Sequence, residues 1–257
     1  MSATTLQDKV IVIGGGAKNL GGAMARHYAA NGAGAIAVHY NSDATRGAAQ
    51  ETVAAVEAAG AKALAIQGDL TKVSEVTRLF DETIAAFGRV DIAINTTGMI
   101  VKKPMADVTE DDYDKSFAIN SKAAFFFMQE AGKKLVDGGK LCTVVTSLLG
   151  AFTGLYAIYA GSKAPVEHFT RAAAKEFGER GISVTAVAPG PMETPFFYGQ
   201  ETPDSTRYHQ TAAALSPFTR TGLTDPHDIV TLVQYLVTDG WWITGQTILA
   251  NGGYTTK

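Results

Sequence analysis

Short apolar runs alternate with longer stretches of helical spacing along nearly the whole chain. Residues 9–13 (KVIVI), 35–40, 63–67, 90–94, 141–146, 182–187 and 246–250 have strand length. Most are apolar at consecutive positions, as expected for strands covered on both faces. Between them, residues 20–31, 42–59, 72–87, 110–135, 156–179 and 225–237 carry apolar side chains at helical intervals, many of them alanine. This alternation predicts βαβ units: an α/β fold with a parallel sheet between two helical layers. No Pro/Ser-rich linker and no fixed-period repeat interrupts it, so residues 1–257 are expected to form a single domain. Residues 191–217 break the pattern with proline, aromatic and polar residues of weak periodicity, which suits a loop acting as a substrate lid.

Composition narrows the class. The chain of 257 residues is 46% hydrophobic and 18% charged, with a formal charge of −3. That balance describes a compact globule and gives no electrostatic case for nucleic acid or an anionic membrane as partner. The single cysteine, Cys142, lies inside an apolar run and reads as a buried, inert thiol. The N-terminal MSATTLQDKV lacks a basic leader followed by an apolar stretch, and a cytoplasmic location is expected. The acids Asp107, Glu110, Asp111, Asp112 and Asp114 follow or flank Thr109, a pattern of helix capping rather than metal binding. The histidines lack metal-ligand spacing, and only His209, in the expected lid, is a candidate for substrate contact.

A glycine cluster stands between the first strand and the first helix: Gly14, Gly15, Gly16, Ala17, Lys18, Asn19, Leu20, Gly21. Backbone N–H groups at a helix N-terminus, approached closely over glycine, form a site for a nucleotide pyrophosphate. The spacing is not a strict G-x-G-x-x-G. At the end of the second strand, where an acid would bind the ribose hydroxyls of NAD, the chain has His39, Tyr40, Asn41 and Ser42. Asp43 falls past the strand and is expected to cap the next helix. Lys18, Asn41, Ser42 and Arg46 could hold a 2′-phosphate, so NADP(H) is favoured over NAD(H).

Residues 141–162 carry no charge, and the run ends at Lys163, four residues after Tyr159. Threonine, serine and glycine divide the run, so a membrane span is not expected. On a helix, Tyr159 and Lys163 share a face one turn apart, and Ser147 sits where the fifth strand gives out. A phenol, an ammonium and a hydroxyl in an apolar wall suit proton transfer. Tyr156 has no lysine one turn on.

Together these residues resemble the short-chain dehydrogenases/reductases, from Lys9 to about Gly253. Tyr159, Ala160, Gly161, Ser162 and Lys163 match the family's Y-x-x-x-K, with Ser147 at a usual distance upstream. The resemblance adds Asn120 as a fourth catalytic residue. It places Asp69 and Leu70 at the adenine, Asn95, Thr96, Thr97 and Gly98 after the fourth strand, and Pro189, Gly190, Met192 and Thr194 at the nicotinamide. Residues 243–246 and 251–253 resemble its C-terminal signature. Asn19 stands where the family has a glycine, and asparagine is among the residues best able to adopt positive φ.

The resemblance implies a Rossmann-type doubly wound sheet and hydride transfer between nicotinamide and a small-molecule carbonyl or secondary alcohol. Tyr159 would be the general acid/base, with its phenol pKa lowered by Lys163. Ser147 would hold the substrate oxygen, and Asn120 a water leading through Lys163 to solvent. Two alternatives remain open: a 3-oxoacyl-carrier-protein reductase, with Arg180, Lys133 or Lys134 docking the carrier, and a non-catalytic dinucleotide-binding protein. Phe196, Phe197, Tyr198, Tyr208 and Phe218 in the lid suggest an apolar or aromatic substrate wall. Trp241 and Trp242 are candidates for a subunit contact. The family commonly forms homotetramers, and a tetramer (or dimer) is expected here through helix faces bearing Ala123, Ala124, Phe127, Phe169 and Ala172.

Overall fold

A computed structural model describes residues 5–256; the part of the N-terminal expectation that concerns residues 1–4 lies outside them. The strands are β1 (Val10–Gly14), β2 (Ala35–Tyr40), β3 (Lys62–Gln67), β4 (Ile92–Asn95), β5 (Lys140–Val144), β6 (Ser183–Pro189) and β7 (Thr247–Ala250). They make one parallel sheet in the order β3-β2-β1-β4-β5-β6-β7. Strand order reverses between β1 and β4, and in open α/β sheets ligands bind at the carboxyl ends of the strands at such a point.

The unbroken apolar character of the strands has a simple cause. Ile11 and Ile13 of β1 enter one core, with Met24 and Tyr28 of α1 (Asn19–Ala30), Val56 of α2 (Arg46–Ala58) and Val233 near the C-terminus. Val12, between them, enters the opposite core, with Leu79 and Phe80 of α3 (Val73–Phe87). Side chains alternate across a strand, so a strand sandwiched by helices is apolar at every position. The cores are dry enough that burial pushes the Cys142 thiol up to about 12, which keeps it protonated and inert. Among the described residues no helix is long and apolar enough to cross a membrane.

The helical expectation for residues 110–135 needs correction. The stretch is two helices, α4 (Glu110–Phe117) and α5 (Ala123–Lys134), joined by a π-helical turn at Ala118–Lys122. A π turn adds a residue without breaking the run of helix-forming side chains, and such turns are frequent at functional sites. Asn120 sits inside it. At the start of α4, Thr109 does cap: its hydroxyl accepts from the Asp112 N–H (3.2 Å), and the Asp112 carboxylate accepts from the Thr109 N–H (2.9 Å).

The expected loop at 191–217 is largely helical. After α6 (Ala157–Glu176) and β6 come α7 (Pro195–Tyr198) and α8 (Pro203–Ala212), and α9 (Pro226–Leu236) follows. Thr194 and Thr202 cap α7 and α8, each with proline at the first helical position. Short capped helices give too few turns for an apolar period to register. Asp43 does not cap α2 either; it lies in a short 3₁₀ turn and pairs with Arg46 (2.6 Å).

Gly15 (φ 75°) and Asn19 (φ 51°) both lie in the left-handed region, so asparagine occupies the positive-φ position expected of it. Replacing Asn19 with glycine should leave stability within a few tenths of a kcal/mol. Asn19→Val should cost about 1–2 kcal/mol, because a β-branched residue resists that conformation. Urea denaturation of both variants tests this; equal stabilities would refute it.

Candidate active site

The glycine turn is held from three directions. Thr96, just past β4, donates its hydroxyl to the Gly14 carbonyl (2.8 Å). From β2, the buried His39 accepts the Gly15 N–H at Nδ1 (3.0 Å) and donates from Nε2 to the Gly68 carbonyl (2.7 Å). That pairing fixes one neutral tautomer, and burial lowers the pKa further. From α1, Gly21 comes so near that a Cβ there would lie 2.3 Å from the Gly15 oxygen. Sequence reading passed over His39, because a histidine inside an apolar strand gives no sign of its partners.

What this turn presents to the cleft suits a pyrophosphate. The N-terminus of α1 has no capping side chain and no acid in its first turn, so its first-turn N–H groups suit an anion. A cavity of about 360 Å³ runs from here along the ends of the strands. Of the residues assigned to the cofactor, Gly15, Lys18, Asn19, Leu20, Gly21, Tyr40, Asn41, Asp69, Leu70, Thr96, Gly98, Pro189, Gly190, Met192 and Thr194 line it, as do Tyr159 and Lys163. Ser42 and Asn95 are not in its wall. Ser42 instead opens the 3₁₀ turn before α2. Asn95 is buried and accepts the Thr97 N–H (3.0 Å) and hydroxyl (2.6 Å), bracing the wall from behind. Arg46 is likewise absent from the wall, tied to Asp43 and Gln67.

The proton-transfer candidates converge at the other end. Tyr159 and Lys163, one turn apart on α6, are buried and line the cavity with Ser147. Lys163 Nζ donates to the carbonyls of Thr97 and Val144, both at 3.0 Å. Gly98 packs closely against this pair: a Cβ there would lie 3.0 Å from Lys163 Nζ and 3.2 Å from Asn120 Oδ1, so either side chain would have to shift. Burial pushes the Lys163 pKa down to about 8. It pushes the Tyr159 phenol up to about 12, opposed by the Thr146 hydroxyl. The expected lowering of the phenol by Lys163 is thus not what these groups produce; desolvation dominates and Tyr159 is neutral at pH 7.

Asn120 is fully buried and does not line the cavity. Its amide donates to the Met99 carbonyl (2.9 Å) and Ser162 hydroxyl (3.0 Å), while its oxygen accepts the Met99 N–H (3.0 Å). Ser162 in turn donates to the Tyr159 carbonyl (3.0 Å). Asn120 therefore clamps the segment after β4 to the helix that carries Tyr159 and Lys163. A further contact comes from the C-terminal segment, where the Thr255 hydroxyl donates to the Ser147 carbonyl (2.8 Å). Phe196 and Phe197 line the cavity, whereas Tyr198, Tyr208 and Phe218 face solvent, which corrects the expected wall of five aromatics.

A family model described as enoyl-(acyl carrier protein) reductase matches residues 15–255. The chain belongs to the short-chain dehydrogenase/reductase family. It is 38% identical over 270 aligned residues to a hydroxynaphthalene reductase-like protein of Metarhizium brunneum, covering 98% of this chain and 97% of that one. A Burkholderia cenocepacia protein provisionally assigned as a dehydrogenase, solved with bound NADP, superposes with a TM-score of 0.98 at 63% identity over 100% of this chain and 97% of its own. A short-chain dehydrogenase from the same species, in complex with NADP, gives a TM-score of 0.88 at 30% identity, covering 97% and 99%. The chain is accordingly an oxidoreductase of this family with the Rossmann-type sheet expected.

Because Lys163 is depressed from 10.5 to about 8, the folded chain releases this proton before the unfolded chain does. Between those values the unfolded state binds more protons, so this group's contribution to stability rises with pH. The unfolding free energy of wild type relative to Lys163→Met should therefore rise by on the order of 1 kcal/mol per pH unit from pH 8 to 10. A difference independent of pH would show that Lys163 titrates normally.

Proposed function

We propose that the chain is an NADPH-dependent carbonyl reductase, with Tyr159 as proton donor. The observation that carries this reading is the convergence of Tyr159, the buried Lys163 and Ser147 in one cavity with the uncapped α1 N-terminus. A phenol that stays protonated at pH 7 is in the form that gives a proton to a carbonyl oxygen. Bound nicotinamide supplies the hydride chemistry. On the protein side, Ser147 donates a hydrogen bond to the substrate oxygen as negative charge develops there. The Lys163 ammonium favours the phenolate left behind on Tyr159 and holds the nicotinamide ribose. Asn120 keeps α6 in register with the wall that would receive the cofactor.

Lys18 and Asn41 support the choice of NADP(H). Both line the cavity, the end of β2 carries Tyr40 and Asn41 rather than an acid, and Lys18 makes no ion pair among the described residues. The two similar proteins solved with NADP support the same choice. The carrier-protein alternative is weakened, since the three basic residues expected to dock the carrier each already have an acid: Arg180 pairs with Asp137, Lys133 with Glu130, and Lys134 with Asp81 and Glu130. For assembly, Ala123, Ala124 and Phe127 are packed in the protein's own core. A homotetramer would instead use the outer face, where Phe125 packs edge-on against Phe169 (5.1 Å) and Tyr113 stacks on Phe117 (4.4 Å).

Steady-state reduction of a ketone panel with NADPH tests the assignment. Tyr159→Phe should lower kcat by about two to four orders of magnitude while NADPH fluorescence still reports binding. Unchanged turnover, or binding with no turnover of any ketone by wild type, would favour the non-catalytic reading. Lys18→Glu should lower the NADPH-to-NADH preference by about tenfold or more, the loss of one charge-assisted contact. An unaltered ratio would remove Lys18 from the phosphate site.

A further inference from the structure

The substrate end of the cleft holds a second polar cluster, apart from the proton-transfer group. Glu201, between α7 and α8, has a side chain only 3% exposed. One carboxylate oxygen accepts from Lys102 Nζ and the other from the Tyr156 hydroxyl. The Lys102 ammonium also lies 5.3 Å from the centre of the Tyr156 ring. His209 Nε2 is 3.6 Å from Glu201, and His209 Nδ1 is 3.1 Å from the Tyr254 hydroxyl. Tyr156, Glu201, His209 and Tyr254 all line the cavity that contains Tyr159, and the Tyr156 phenol lies close enough to feel Tyr159 electrostatically.

The charge states define what this cluster can bind. Burial alone would raise the Glu201 pKa, but the hydrogen bonds from Lys102, Ser205 and Tyr156 outweigh it and hold the carboxyl below its usual range. Burial lowers His209, so the imidazole is neutral at pH 7. Lys102 and Glu201 therefore cancel, and the cavity meets an ionised carboxylate whose charge is already balanced. A carboxylate offers about four lone-pair sites. Lys102, Tyr156 and Ser205 account for three, leaving acceptor capacity for one further donor at a group in the cavity wall. A ligand carboxylate would meet like charge there, and a ligand ammonium would add a charge with no unpaired partner. A neutral O–H donor fits. The apolar neighbours Ile100, Leu148, Phe196 and Phe197 suit a compact hydrocarbon frame carrying it.

We propose that Glu201, set by Lys102 and Tyr156, is a specificity-determining residue that accepts a hydrogen bond from a second oxygen of the substrate, making the substrate class neutral hydroxy-ketones. The ketone rests on the reductase reading, and the hydroxyl on the position and charge balance of Glu201 in the cavity wall. A buried ion pair is weak evidence for stability, and replacing it with apolar residues is often neutral, so the pair's position in the substrate wall is what suggests recognition.

The test uses matched isomers of acetophenone and cyclohexanone bearing a hydroxyl, a methoxyl or an aminomethyl group. Binding to the NADP⁺-saturated protein is measured by calorimetry, and kcat/KM with NADPH. At least one hydroxyl isomer should bind wild type about tenfold or more tightly than its methoxyl partner, as expected for a hydrogen bond to a charged acceptor. Glu201→Gln should weaken that preference. The double variant Lys102→Met/Glu201→Leu, which leaves no unpaired buried charge, should bring the ratio to about one. No hydroxyl preference in wild type, survival of the preference in the double variant, or tightest binding by the aminomethyl isomers would each overturn the proposal. Hydroxyl-selective binding without reduction of any ketone would sink the reductase reading and leave the Glu201 assignment standing.

Discussion

A buried ammonium is the constraint on which the rest of this site depends. Lys163 leaves α6 and places Nζ between two carbonyls, one just past β4 and one at the end of β5. An unpaired charge in such a place is costly, and since Lys163 makes no ion pair among the described residues the compensation comes from fixed backbone dipoles. Three elements must therefore hold their relative positions to within hydrogen-bond tolerance. Gly98 allows the chain to pass close to Nζ, and Asn120 ties the same passage to Ser162 and hence to the Tyr159 backbone. The π turn has a reason in this arrangement: it carries Asn120, whose amide must satisfy Met99 and Ser162 together. The cost of keeping Lys163 dry is visible in its pKa, and the same dryness raises that of the neighbouring phenol.

The other end of the cleft is built on an opposite principle. There the protein leaves the start of α1 without a side-chain cap, and surrounds it with contacts that fix the backbone. Thr96, His39 and Gly21 each engage Gly14 or Gly15 from a different element, so the turn is shaped before any anion arrives. His39 is suited to this because its two nitrogens bond to groups of opposite polarity, a donor at Gly15 and an acceptor at Gly68. Only the neutral ring satisfies both.

How much of this could be read from the sequence depended on whether the signal was local. The strands and three of the six expected helices were legible within two residues at each end, because burial on both faces of a sheet imposes runs that need no knowledge of the fold. The positive φ at Asn19 was legible from its neighbours in the turn. The π turn was not, since Ala118–Lys122 carries the same helix-forming residues as its flanks. Nor were the helices inside 191–217, which are too short to show a period. Among site residues, Tyr159 and Lys163 were found because a helix places them on one face. Asn120, Ser42 and Asn95 were assigned to the cleft by position alone, and the structure turns them to supporting the walls.

The pairing of Lys102 with Glu201 spans 99 residues, and no local pattern announces it. Its consequence is a division of labour among tyrosines. Tyr156, Tyr159 and Tyr254 all have raised pKa values and all line one cavity. Tyr156 donates a hydrogen bond to Glu201, and Tyr254 is occupied with His209. Tyr159 has neither a carboxylate nor an imidazole among the groups that shift it. A phenol bonded to a carboxylate is a poor proton donor to anything else, because ionising it would set two anions side by side. The network that shapes the substrate end thus also silences the competing phenol, and proton transfer is left to the tyrosine one turn from Lys163.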